Sequence, residues 1–221
     1  MGGNPRIPGD WAIMAYQLEV IDLQTLPPAT SVLSERENAF FQTFKLPKRQ
    51  TEWLGGRLAL KRLVGAQVRL PVQTIEVLPL AANGKPQLLI EGSLSLLPFS
   101  ITHSHGFAVA AIAPDARYIG IDLEKIAPRI NAWKQDFFHP SELTEHSDEF
   151  LTKLWTQKEA LVKLLGTGLA INSFDVRCVD GKPQFFGRAL QIYQKLGSPQ
   201  ITLTTVPDLL PEFQFSVAVG K

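Results

Sequence analysis

Asn83-Gly84-Lys85-Pro86-Gln87 and Asp180-Gly181-Lys182-Pro183-Gln184 write one turn twice, with their lysines 97 residues apart. Asn-Gly and Asp-Gly tolerate the positive φ angles of tight hairpins, so each copy is predicted to reverse the chain between two strands. The flanks repeat as well. Thr74-Ile75-Glu76-Val77 precedes the first turn and Ser173-Phe174-Asp175-Val176 the second. Further upstream, Ala59-Leu60-Lys61-Arg62-Leu63-Val64-Gly65 is echoed 101 residues on by Ala160-Leu161-Val162-Lys163-Leu164-Leu165-Gly166. Three echoes in one order, at nearly constant offset, predict two halves of like topology.

The rest of the chain fills in those halves. Residues 15–23 alternate like a strand, and residues 34–65 carry helical signals that open on the capping box Ser34-Glu35-Arg36-Glu37. Residues 75–80, 99–102 and 107–112 read as strands of an antiparallel meander. The second half starts at a strand over 118–123; His139-Pro140-Ser141-Glu142 reads as a helix start, and a helix over 150–165 stops at Gly166-Thr167-Gly168. Strands over 174–179, 185–186, 201–206 and 213–219 complete it. The predicted fold is α+β: a pseudodimer of two similar halves, 12–118 and 119–221, behind a flexible Gly- and Pro-rich tail at 1–11. The active site is expected in the cleft between the halves.

Composition narrows the partners. With 221 residues, 45% hydrophobic and 19% charged, the chain is an ordinary globular one, and its 22 basic against 21 acidic residues give a net charge of only +1. No global field favours a nucleic acid or an anionic membrane, so any anion has to be met locally. The single cysteine, Cys178, leaves no disulfide framework and no cysteine cluster for zinc, which fits a reducing cytoplasm. No apolar run has the roughly 18 residues of a membrane span, and Met1-Gly2-Gly3-Asn4-Pro5 lacks a signal peptide's apolar core.

Several residues carry candidate chemistry. On a strand, Ile119, Ile121 and Leu123 face one way while Asp122 and Glu124 face the other. Two like-charged neighbours suit a hard divalent cation, or are simply the wet face of an amphipathic strand. On the helix after Leu151, Lys158 falls inside the apolar stripe of Leu151, Leu154, Trp155, Leu161, Val162 and Leu165, and there needs a partner or a route to water. Glu159 and Lys163, four apart, are either a surface ion pair or a metal ligand and general base beside a phosphate-holding lysine. His103 and His105 lack further ligands for zinc, and Ser104 is not in a G-x-S-x-G elbow. His103 is instead a cation beside a bound anion, or the cap of a strand end.

In order, Asn83-Gly84-Lys85-Pro86, Phe99-Ser100-Ile101-Thr102-His103-Ser104, Ile119-Gly120-Ile121-Asp122-Leu123-Glu124 and Trp155-x-x-Lys158-Glu159-Ala160-x-x-Lys163 resemble the signature blocks of the 4′-phosphopantetheinyl transferases of Sfp type. Members of that family move the phosphopantetheine arm of coenzyme A onto a serine of an apo acyl or peptidyl carrier protein, leaving adenosine 3′,5′-bisphosphate. The resemblance implies Asp122, Glu124 and Glu159 as ligands of Mg²⁺, with Mn²⁺ also suited, and Glu159 as base for the carrier serine, directly or through water. It further implies Lys158 and Lys163 on phosphate oxygens, with Lys163 at the leaving group. Lys85, Thr102, His103, Arg57 and, more weakly, Arg49 fall to the nucleotide. Thr102 stands where many relatives have serine, which keeps the hydroxyl. The expected protein is a cytoplasmic monomer, with coenzyme A and carrier proteins as partners. Lys182, in the second turn, lies outside the family's blocks and is expected to be a surface residue. The alternatives are another Mg²⁺-dependent phosphoryl-transfer enzyme or a non-catalytic carrier-binding module.

Overall fold

A computed structural model describes residues 16–79, 86–168 and 171–221. The proposed tail and Lys85 lie outside the described residues. The first half opens with strand β1 (Gln17–Asp22), followed by helices α1 (Glu35–Phe41) and α2 (Pro47–Val68). The helical signal of 34–65 is therefore two helices. Proline disfavours helical geometry in the residue before it but suits a first helical position, so the chain is extended at Leu46 and helical from Pro47. The predicted capping box is present: the Ser34 hydroxyl accepts from Glu37 N, and the Glu37 carboxylate accepts from Ser34 N.

Strands β2 (Ile75–Leu78), β3 (Gln87–Ile90) and β4 (Ser93–Leu94) form one small antiparallel sheet. Strands β5 (Phe99–Ser104) and β6 (Phe107–Ile112) belong to another, in the order β1-β6-β5. The single meander expected from the sequence is thus split. β1 takes the free edge of β6, pairing Gln17 with Ile112 through to Asp22 with Phe107.

The second half repeats this order. It runs through strand β7 (Tyr118–Lys125), helices α3 (Asn131–Phe137) and α4 (Asp148–Leu165), and the hairpin β8 (Val176–Val179) and β9 (Lys182–Phe185). Helix α5 (Gly187–Lys195) and strands β10 (Ile201–Thr205) and β11 (Phe213–Gly220) follow, in a sheet ordered β10-β11-β7. In the β8–β9 hairpin, Asp180 and Gly181 have φ of 49° and 71°, as the Asp-Gly pair predicts. Gly166 caps α4 at φ 71°. Helices α3 and α5 carried no signal recognised in the sequence.

One face of each main sheet meets its own helix, and the opposite faces share a core. Val109 and Ala111 of β6, Ile119, Ile121 and Leu123 of β7, and Phe215 and Val217 of β11 pack together there. This is the apolar face of β7 that alternation predicted; its other face carries Gly120, Asp122 and Glu124 toward α4. A Cβ at Gly120 would stand 2.0 Å from Ala160 O and 2.4 Å from Leu164 N, so glycine lets the α4 backbone lie directly on β7. That contact brings α4 residues beside Asp122.

Candidate active site

The two main sheets meet along edge strands β5 and β7, and side chains make the seam. Ser100 Oγ accepts from Ile121 N at 3.1 Å, and Thr102 Oγ1 accepts from Leu123 N at 3.3 Å. Thr102 Oγ1 also donates to Asp122 Oδ1 at 3.0 Å, and Ser104 Oγ to Glu124 Oε2 at 3.2 Å. Hydroxyls at every second residue of one strand thus reach β7 in register. That period-two pattern in Phe99-Ser100-Ile101-Thr102-His103-Ser104 was the available signal for Ser100 and Ser104, which sequence reasoning passed over. It also corrects Thr102. Buried and committed to Asp122 and Leu123, its hydroxyl orients an acid rather than a nucleotide.

Asp122 is 5% exposed, and its Oδ1 also accepts from Lys163 Nζ at 2.7 Å. Its other oxygen, Oδ2, is buried without a hydrogen-bond partner among the described residues. Burial first, then the charges of Asp122 and Glu124, push the Glu159 carboxyl up to about 7, against the opposing pull of Lys163 and Lys158. Glu124 is raised as well, by burial and then by Asp122, with Ser104, Arg129 and His105 opposing. The three acids predicted from sequence therefore stand in one another's fields.

Their donor chemistry fits a hard divalent cation, since a buried lone carboxylate oxygen and two disfavoured anions leave negative charge uncompensated. As placed, Lys163 engages Asp122, and among the described residues no group of three His, Cys, Asp or Glu is gathered closely enough to hold an ion.

Beside Lys163 opens a cavity of about 490 Å³ whose walls come from both halves. Phe40, Phe44, Arg49, Glu52, Trp53, Arg57 and His103 line it from the first, Lys163 and Gly166 to Gly168 from the second. The acids are not among its lining residues, and Lys163 is the link between cavity and acids. Arg57 lies over the Trp53 ring at 4.0 Å, its Nε buried and unpartnered among the described residues. Burial lowers the Arg57 guanidinium to about 10, which still leaves it charged at neutral pH. Arg49 is exposed and stands 5.5 Å from the centre of the Phe44 ring. His103 and Glu52 face each other, Nδ1 to Oε1, at 3.7 Å. Sequence reasoning did not single out Glu52, and an isolated glutamate on a helix carries no signal that would have done so.

Lys158 requires the second correction. It is 1% exposed and donates to Glu142 at 2.8 and 3.2 Å and to Phe137 O at 2.8 Å, so its ammonium is spent inside the second half and does not reach a phosphate. Its place in the apolar stripe demanded a partner, and Glu142 is that partner. Cys178 is buried and its thiol pushed up to about 12, mainly by burial, which makes it inert as a nucleophile.

The arrangement defines a class: an α+β protein with acids on a central edge strand, joined by a lysine to a cationic cavity between its halves. Residues 118–203 match the family model ACPS, the 4′-phosphopantetheinyl transferase superfamily. The chain is 28% identical to the 4′-phosphopantetheinyl transferase psf-1 of Bacillus pumilus, over 75% of its own length and 74% of that protein. It is 28% identical to the 4′-phosphopantetheinyl transferase Sfp of Bacillus subtilis (strain 168), over 66% and 71%. A further 4′-phosphopantetheinyl transferase of Bacillus subtilis is 35% identical over 44% and 45%. The chain is thus similar to 4′-phosphopantetheinyl transferases over about three quarters of its length.

Proposed function

We propose that the protein transfers the 4′-phosphopantetheine arm of coenzyme A to a serine of an apo acyl or peptidyl carrier protein. The observation that carries this reading is the Lys163 bridge, one lysine that lines the cationic cavity and whose ammonium bonds to the buried Asp122. An anionic nucleotide and an acid-held cation would meet there. Arg57, with Arg49 at the rim, is placed for phosphate oxygens of the nucleotide, and His103 adds a donor on the same wall. Asp122, Glu124 and Glu159 would hold Mg²⁺ or Mn²⁺, which when bound would neutralise charge on the pyrophosphate.

In the transfer, the serine oxygen forms a bond to the β-phosphorus of coenzyme A as the bridging bond to the α-phosphate breaks. Glu159 receives the serine proton, directly or through a water. Lys163 donates to the departing α-phosphate of adenosine 3′,5′-bisphosphate. Among the described residues no helix is long and apolar enough to cross a membrane. We take the enzyme to act as a cytoplasmic monomer, with both walls of the cavity from one chain.

Intact-mass analysis of apo carrier proteins incubated with the protein, coenzyme A and Mg²⁺ tests the reading. A phosphopantetheine mass gain is expected, lost with chelator and with Asp122→Ala. No gain on fatty acid, polyketide or peptide carriers from folded protein would overturn it.

A further inference from the structure

Glu52 is a carboxylate on the wall of a cavity otherwise charged by Arg49, Arg57, His103 and Lys163. Alone, it would repel the anion those cations attract. Its contacts point to another role. Its partners at ion-pair distance are Lys48 Nζ at 3.8 Å, an 87% exposed lysine and hence a weakly held one, and His103 Nδ1 at 3.7 Å. The fold sets the second contact. A Cβ at Gly56 would stand 2.7 Å from Ile101 Cγ2, so glycine lets α2 close onto β5 at that point. Glu52 lies one helical turn before Gly56, and His103 lies two residues after Ile101 on the same face of its strand. The close approach therefore carries the carboxylate to the imidazole.

We infer that Glu52 is a positioning residue for His103, holding Nδ1 so that the ring offers its other nitrogen, as a cation, to a phosphate of the bound nucleotide. This rests on the proposed use of coenzyme A. The groups facing His103 are Glu52 and Arg49 from α2, Lys163 from α4 and Asp122 from β7. Burial is the largest influence and holds the imidazole below its ordinary range; Lys163 and Arg49 press it down further, whereas Glu52, ahead of Asp122, supports the cation. Without Glu52 the cation would be scarcer at neutral pH, and phosphate binding would have to supply more of the protonation free energy.

The test is Glu52→Gln, which keeps the shape and removes the charge. In the free protein, NMR titration of the histidine ring, assigned against His103→Ala, should show the His103 pKa falling by about 0.5 to 1 unit. With coenzyme A, the KM at pH 8 should rise about three- to tenfold, as the cation fraction falls by that factor, with the rise shrinking as pH is lowered through the His103 titration and little change in kcat. In a His103→Ala background the substitution should have no such effect. A KM lowered at every pH would make Glu52 a mere repulsive charge and overturn the inference, as would an unmoved His103 titration or an equal effect without His103. A wild-type protein that does not turn over coenzyme A would sink the transferase reading, while the NMR arm still decides whether Glu52 controls the ring.

Discussion

Lys61 with Glu37 in the first half, and Lys158 with Glu142 in the second, are one device built twice. Each glutamate closes a capping box, accepting from Ser34 N at 3.0 Å or His139 N at 2.8 Å. Each also accepts from a strand amide, Val77 N at 2.8 Å or Cys178 N at 2.9 Å, and each lysine further donates to a backbone carbonyl, Val32 O or Phe137 O. The strand amides are 101 residues apart and the lysines 97, so the second lysine reaches its glutamate from one helical turn earlier. The cavities tell a different story. At the 101-residue offset, Arg49, Glu52, Trp53 and Pro79 correspond to Phe150, Lys153, Leu154 and Asp180, which line a second cavity of about 250 Å³. That cavity is walled by the second half alone, and the counterpart of Arg57 is Lys158, turned inward to Glu142. The halves share what holds them together and differ in what meets an anion.

The largest contrast expected is in activity. Glu159→Gln should cut kcat/KM by about 10⁴-fold, the upper end for losing a positioned base, because a cation donor goes with it. The corresponding position in the first half, by the same offset, is Leu58, a buried core residue. Steady-state transfer measured by mass spectrometry checks this, and activity within tenfold of wild type would remove Glu159 from the site.

Next come the two ion pairs. Glu37→Gln and Glu142→Gln each leave a buried lysine without its counter-charge, which should cost about 3 to 5 kcal/mol in urea unfolding. Equal losses would establish the pairs as equivalents. A loss confined to one would mean that the other half relaxes around its lysine. Replacing both partners with apolar residues of similar volume should recover most of the stability, since the desolvation cost of both charges disappears together.

The legible part of this comparison was local. Alternation in Ile119 to Glu124 gave the two faces of β7, and the Asp-Gly turn gave the β8–β9 hairpin, because period and turn chemistry act over a few residues. The apolar stripe showed that Lys158 lacked water but could not name Glu142, which sits 16 residues away and was visible only as part of a helix start. Likewise the hydroxyl seam between β5 and β7 needs the two strands side by side before Ser100, Thr102 and Ser104 have anything to bond. The family resemblance put Lys158 and Thr102 on the nucleotide, whereas both are bonded within the protein, because matching a motif does not fix which way a side chain turns.

A smaller effect separates the halves by pH. The Glu159 carboxyl, at about 7 when folded against about 4.3 when unfolded, prefers the folded state while protonated. That contribution is fully present below the unfolded value and is lost as pH rises through about 7. In chelator, metal-free protein should lose about 2 kcal/mol of stability from this group between pH 5 and 8, and Glu159→Gln should flatten that part of the curve. Mg²⁺ should stabilise the wild type more at pH 8 than at pH 6, since a cation binds the ionised acids. A profile unchanged by the substitution would place Glu159 in water rather than among Asp122 and Glu124.

The smallest effect expected belongs to the second copy of the turn that first revealed the repeat. Lys182 is exposed at the start of β9 and lines neither cavity. Lys182→Ala should change transfer by less than about twofold and stability by no more than about 0.5 kcal/mol, the range for an exposed residue away from special features. A tenfold loss with coenzyme A saturating and carrier protein limiting would instead assign the hairpin to the carrier. The second copy of the turn would then have a partner of its own, and the contrast between an anion-meeting cavity built from both halves and a second half that alone meets none would fail at this point.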